Sequence, residues 1–193
     1  GKENFEFIQA DLSTLDPIDN IVKTAVDTFG HVDILVNNAG VIKREDTIDF
    51  SVESWDLVMN VNLRTLFFLS QAVAKQYMKQ GTGGKIISVA SMLSYQGGIR
   101  VPSYTASKSG VKGITMTMAN EWASKGINVN AIAPGYMATN NTKALRADAD
   151  RSEAILDRIP AGRWGTPDDI MGAAVFLASS ASDYINGFTI AVD

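Results

Sequence analysis

The sequence contains no cysteine and a single histidine, His31. Disulfides, thiolate chemistry and cysteine-ligated metals are therefore excluded, and neither a zinc site nor a Ser-His-Asp triad has its raw material. The lack of cysteine is compatible with a reducing compartment, and a cytoplasmic location is expected. There is no basic run or stripe and the net charge is −4, so nucleic acid is not an expected partner. No apolar stretch approaches the length that spans a bilayer, and no membrane partner is expected. The opening Gly1-Lys2-Glu3-Asn4 lacks the basic-then-apolar order of a signal peptide. Acid–base chemistry near neutral pH is left to carboxylates, lysine and tyrosine.

What is present suits one domain. The chain has 193 residues, 46% hydrophobic and 20% charged, enough for a buried core. Strand-like and helix-like segments alternate throughout, the pattern of an α/β fold on a parallel sheet. Phe5-Glu6-Phe7-Ile8 reads as a strand running into Asp11. Ile18, Ile21, Val22, Ala25, Val26 and Phe29 repeat at helical spacing, and Gly30 is placed to stop that helix. Further strands are expected at 34–36, 85–89, 127–132 and 189–192, with long helices over 51–80 and 103–125 and a shorter one over 168–178. The stretch 136–166 is polar, interrupted and long for a plain connection, which predicts a substrate lid. No repeat, linker or low-complexity segment divides the chain, so 1–193 reads as one domain.

Tyr104 and Lys108 lie four apart on an expected helix and share a face. A phenol titrates near pH 10, and an ammonium on the same face stabilises the phenolate and brings it toward neutral pH. The plainer reading is a solvated pair. Ser91 follows the strand 85–89 at its carboxyl end, the edge where open α/β sheets bind ligands. Its hydroxyl either donates to a substrate oxygen shared with Tyr104 or bonds its own turn. Asn37-Asn38-Ala39-Gly40 closes the preceding strand with two amides and two small residues, which suits close approach of a ligand as well as an ordinary turn. Asn62 sits inside a long helix, where asparagine is mildly unfavourable. Taken alone it points to solvent; the alternative is an amide holding water in a buried network.

Asn37 to Gly40, Asn62, Ser91, Tyr104, Lys108 and the run from Pro134-Gly135 to Thr139 resemble, in order and spacing, the short-chain dehydrogenase/reductase family. The resemblance implies a Rossmann-type, doubly wound parallel sheet with strand order 3-2-1-4-5-6-7. It makes Tyr104 the catalytic acid/base, with Lys108 holding the nicotinamide ribose, Ser91 orienting the substrate oxygen and Asn62 completing a proton relay. It places Asp11 and Leu12 at the adenine, Asn38, Ala39 and Gly40 along the cofactor, and Pro134, Gly135, Met137 and Thr139 toward the nicotinamide, with Tyr104 and Lys108 also among the cofactor contacts. No metal is implied. The family's glycine-rich pyrophosphate turn and the residue that selects NAD or NADP have no counterpart here, so the N-terminal strands 1 and 2 are expected to be absent and the chain to be part of a longer enzyme.

Lys43-Arg44-Glu45-Asp46, Ser91-Met92-Leu93-Ser94, the run 96–103, the run 133–141 and the run 159–165 resemble a subgroup acting on keto-deoxy sugar acids of the kind derived from pectin, usually with NAD. NADP stays open. A sugar acid carries a carboxylate, for which arginine is the suited partner. Arg100 lies between Ser91 and Tyr104 and is the first candidate; Arg44 is the second, and either can instead be a surface residue. Gluconate dehydrogenases and carrier-protein reductases share the same catalytic residues, and a non-catalytic nucleotide sensor is the reading from another class. The resemblance also implies a homotetramer, built through helices on which Phe67, Phe68, Met116, Met118 and Trp122 spread apolar surface over more than one face.

Overall fold

The computed structural model describes residues 4–193. Helix α1 (Ile18–Phe29) follows an irregular opening segment and ends on Gly30 in the left-handed region. Strand β1 (Ile34–Asn37) leads through a loop to α2 (Val52–Met59), a π-helical turn (Asn60–Thr65) and α3 (Leu66–Gln80). Then come β2 (Gly84–Val89), the single turn α4 (Leu93–Gln96), α5 (Pro102–Trp122) and β3 (Ile127–Pro134). Two short helices, α6 (Lys143–Ala147) and α7 (Ala149–Leu156), precede α8 (Pro167–Ala178) and β4 (Thr189–Val192). The four strands are parallel and lie in the order β1-β2-β3-β4.

Alternation along the central strands makes the sheet two-sided. Ile86 of β2 and Val129 of β3 join Leu69, Val73, Tyr77 and Met118 on the face covered by α1, α3 and α5. Ile87 of β2 and Ile132 of β3 point the other way and pack with Leu177 of α8. Helices therefore cover both faces, and the loops that leave β1, β2 and β3 lie at the carboxyl edge of the sheet. Ser51 caps α2 by accepting from the Ser54 N–H, and a Thr166–Asp169 capping box opens α8.

Five expectations change. Phe5 to Ile8 forms no strand: Phe5 and Phe7 are exposed, and no neighbouring strand pairs with them among the described residues. The helix over 51–80 is real but not uniform, since the π turn Asn60–Thr65 interrupts it. Together Val52–Gln80 forms a run long and apolar enough, by length and composition, to cross a membrane; its apolar positions Leu66, Leu69, Val73 and Ala74 are buried against the protein's own sheet and helices. Of the five residues expected to spread apolar surface, Met118 is core, Phe67 and Trp122 pack partly against it, and only Phe68 and Met116 are exposed. About half of the stretch 136–166 is helical, over 140–147 and 149–156, rather than loop throughout. Its ends are clamped by a bridge between Met137 and Gly165, with Ala138 N–H donating to the Gly165 carbonyl at 2.7 Å and Gly165 N–H to that of Tyr136 at 2.9 Å.

Candidate active site

Three chain segments converge at the carboxyl edge of the sheet. The first is the turn after β1. Asn37 is buried and donates from Nδ2 to Ser70 Oγ at 2.9 Å and Ser88 Oγ at 3.3 Å, tying the strand end to α3 and β2. The second is the end of β2, where the Ala90 N–H donates to the Ile132 carbonyl at 2.8 Å and Ser91 turns inward, 8% exposed. The third is the first two turns of α5, which carry Tyr104 and Lys108 on the inward face.

A cleft of about 370 Å³ lies among them. Tyr104, Lys108, Ser91, Asn38 and Gly40 form one side, and Pro134, Gly135, Met137 and Thr139 the other. Lys108 is 3% exposed, and its ammonium donates to the Val89 carbonyl at 2.6 Å and sits 5.7 Å from the centre of the Tyr104 ring. Burial pushes its pKa down to about 8. Burial pushes the Tyr104 phenol up from its ordinary value, while a hydrogen bond with Ser91 and the charge of Arg44 pull it back. Desolvation thus outweighs the lowering expected for Tyr104, and the charge of Arg44 favours the phenolate. Ser91 Oγ also accepts from the Leu93 N–H at 3.1 Å, so the turn role and the cleft position coexist.

Asn62 does not point to solvent. It is fully buried behind the cleft wall, brought inward on the π turn, a helix irregularity that recurs at functional sites. Its Nδ2 donates to the Val41 carbonyl at 2.9 Å and Ser107 Oγ at 3.2 Å, and Oδ1 accepts from the Val41 N–H at 2.8 Å. Ser107 in turn donates to the Tyr104 carbonyl at 2.8 Å. A Cβ at Gly40 would lie in ordinary van der Waals contact, 3.4 Å from Asn62 Oδ1 and 3.5 Å from Lys108 Nζ, so this residue backs directly onto both side chains.

Leu12 and Ala39 line a small recess of about 70 Å³ next to Asn38. Asp11 is exposed and accepts from the Ser13 N–H at 2.9 Å, which holds its carboxyl below the usual range. A second recess of about 110 Å³ opens from Ser91 and Tyr104 toward Leu93, Gln96, Tyr136 and Arg44. Arg44 donates from Nη2 to the Asn141 carbonyl at 2.8 Å. Arg100 is not brought to either space: its Nε pairs with Asp46 at 2.7 Å, both side chains largely exposed. Tyr136 and Asn141 were not singled out in the sequence, because only the folding of the 136–166 segment over the sheet edge brings them here. Trp164 packs edge-on against Tyr136 at 5.5 Å.

The residues present fit the nicotinamide–ribose end of a dinucleotide. Lys108 has three donors and one protein acceptor, the Val89 carbonyl, and it lines an open cleft. Gly40 and Gly135 line that cleft.

The chain belongs to the short-chain dehydrogenase/reductase family: a family model described as "Enoyl-(Acyl carrier protein) reductase" matches residues 1–193. The 2-dehydro-3-deoxy-D-gluconate 5-dehydrogenase of Escherichia coli is 68% identical over 189 residues, covering 98% of this chain and 75% of the relative. A crystal structure from Agrobacterium tumefaciens, provisionally named a 2-deoxy-D-gluconate 3-dehydrogenase and holding NADP, superposes with a TM-score of 0.88 at 58% identity, over 96% of this chain and 74% of that one. A gluconate 5-dehydrogenase from Burkholderia cenocepacia, in complex with NADP and tartrate, gives 0.91 at 40% identity over 95% and 72%. The fold is thus a Rossmann-type α/β sheet, and the protein is an oxidoreductase of the family.

Proposed function

We propose that the protein interconverts a hydroxyl and a carbonyl on a keto-deoxy sugar acid of the 2-dehydro-3-deoxy-D-gluconate type, using NAD or NADP. The observation that carries the substrate class is Arg44, whose guanidinium lines the same recess as Ser91 and Tyr104. A carboxylate seated on it would place the far end of a small sugar acid at the phenol. The higher identity to the Escherichia coli enzyme than to the gluconate 5-dehydrogenase supports the same choice.

When bound, the nicotinamide supplies or accepts the hydride at the substrate carbon. The protein's own groups manage the proton and the geometry. Tyr104 donates its phenolic proton to the substrate oxygen during reduction and takes it back during oxidation. Ser91 holds that oxygen beside the phenol. Lys108 offers its free donors to ribose hydroxyls, and its charge supports the phenolate as it forms. Asn62 fixes the Val41 backbone and, through Ser107, the first turn of α5, so that the relay atoms stay in register. The 136–166 segment, attached to Arg44 through Asn141, acts as the lid.

The test is a substrate series with the intact protein, followed at the nicotinamide absorbance with both cofactors. The expected outcome is a kcat/KM for 2-dehydro-3-deoxy-D-gluconate well above that for gluconate or a carrier-bound 3-oxoacyl chain. Preference for either of the latter overturns the assignment.

A further inference from the structure

Arg100 is the only residue other than glycine with positive φ among those described, at 63°. A side chain in that region is unfavourable, and it persists where surrounding contacts over-determine it, often beside functional sites. The contacts here are specific. The Arg100 carbonyl accepts from the Glu45 N–H at 3.1 Å, and its Nε pairs with Asp46. The turn before it is tight, since a Cβ on Gly98 would fall 2.6 Å from Val101 and 3.0 Å from Leu93. On the other side, the Glu45 carboxylate accepts from the Ser51 N–H at 2.8 Å, from Ser51 Oγ at 3.2 Å and from Ser54 Oγ. Those bonds hold its carboxyl below the usual range. The segment just after Arg44 is therefore pinned twice, to the start of α2 and to Arg100.

An exposed ion pair contributes little to stability. Strained backbone, a cross-loop backbone bond and an ion pair at one residue need another explanation, and Arg44 supplies it: the residue next to Glu45 reaches into the recess at Ser91 and Tyr104. We propose that Arg100 is a positioning residue for substrate recognition, clasping Glu45 and Asp46 so that Arg44 faces the substrate. This rests on the reading of Arg44 as the carboxylate-binding group.

Arg100→Gly keeps the left-handed backbone while deleting the ion pair, and Asp46→Asn deletes it from the other side. Each is expected to raise KM for the sugar acid by roughly three- to tenfold, as loss of orientation does, with kcat and the KM for a ketose lacking the carboxylate nearly unchanged. In an Arg44→Met background neither should have any further effect, because the clasp acts through Arg44. A normal KM for Asp46→Asn, with Arg100→Gly impaired, would mean that Arg100 meets the substrate itself. A fall in Tm alone, or equal losses on charged and neutral substrates, would reduce the clasp to a structural feature; either result overturns the proposal. Undiminished preference for the acid in Arg44→Met alone would instead defeat the underlying reading, whatever the clasp variants do.

Discussion

The amide of Asn62 holds both backbone polar groups of Val41, accepting from its N–H at 2.8 Å and donating to its carbonyl at 2.9 Å. One side chain thus does for the loop after β1 what a neighbouring strand does for an edge, and it is available only because the π turn rotates residue 62 inward. Asn62→Ala strips the partners from both Val41 groups and from Ser107. Unmet groups of this kind cost ~1–3 kcal/mol, so the urea midpoint should fall clearly and kcat with it. Asn62→Asp keeps the acceptor, loses both donations and buries a charge. It should be less stable than the alanine variant at neutral pH; the reverse order would mean that the bond accepted from the Val41 N–H outweighs the cost of the buried charge.

Tyr104→Phe removes the hydroxyl that exchanges a proton with the substrate and leaves Lys108 to hold the ribose. Turnover should be abolished while the cofactor dissociation constant, measured by fluorescence titration, stays close to that of the parent. Lys108→Ala should damage both. A Tyr104→Phe enzyme that keeps most of its rate would remove the acid/base assignment.

The fold was legible wherever apolar spacing carries it. β2, β3, β4 and α5 begin and end within three residues of the expected bounds, because a short apolar run such as Ile86-Ile87 and an i, i+4 spacing such as Tyr104 and Lys108 carry them. The misses are non-local. Phe5 to Ile8 has the composition of a strand, but pairing needs a neighbour that local pattern cannot supply. The π turn leaves apolar spacing nearly intact; its one trace is the polar pair Asn60 and Asn62 in an apolar helix. The sequence favours Arg100 over Arg44, and the structure reverses that order. The left-handed backbone at Arg100 directs it to Asp46, and nothing in a non-glycine residue announces that.

Arg44→Met should raise KM for the sugar acid by about an order of magnitude, in line with the ~1.5–3 kcal/mol of a charge-assisted hydrogen bond. A neutral ketone should lose much less. Arg44→Lys should rescue only partly, since a point charge cannot reproduce a two-pronged contact. Steady-state kinetics on both substrates decide it, and equal losses would take Arg44 out of recognition.

The intact protein is expected to be a homotetramer, as the family resemblance implies. Phe68 on α3 and Met116 on α5 remain exposed, and they are the apolar positions that an assembly through these helices would cover. Phe68→Lys with Met116→Lys should lower the mass measured by light scattering. A parent protein that is monomeric at micromolar concentration would refute the assembly.

Lys108 also sets how stability depends on pH. In the unfolded chain it titrates at 10.5, and burial brings it down to about 8 in the folded protein. Below pH 8 both states carry the charge, and the folded one bears the full cost of burying it. Between about 8 and 10.5 the unfolded state binds the extra proton, so stability must rise with pH across that window. The whole rise is roughly 3 kcal/mol by the conversion from pKa to free energy. Tyr104 and Tyr77 are both raised by burial, so they act above pH 10 and in the opposite sense, favouring unfolding as alkalinity increases. A maximum near pH 10 should follow. Urea midpoints measured across that range should climb for the parent and stay flat for Lys108→Met, which carries no charge to bury. A parent curve as flat as the variant's would mean that Lys108 keeps its ordinary pKa, and the dry, single-acceptor setting described for its ammonium would be wrong.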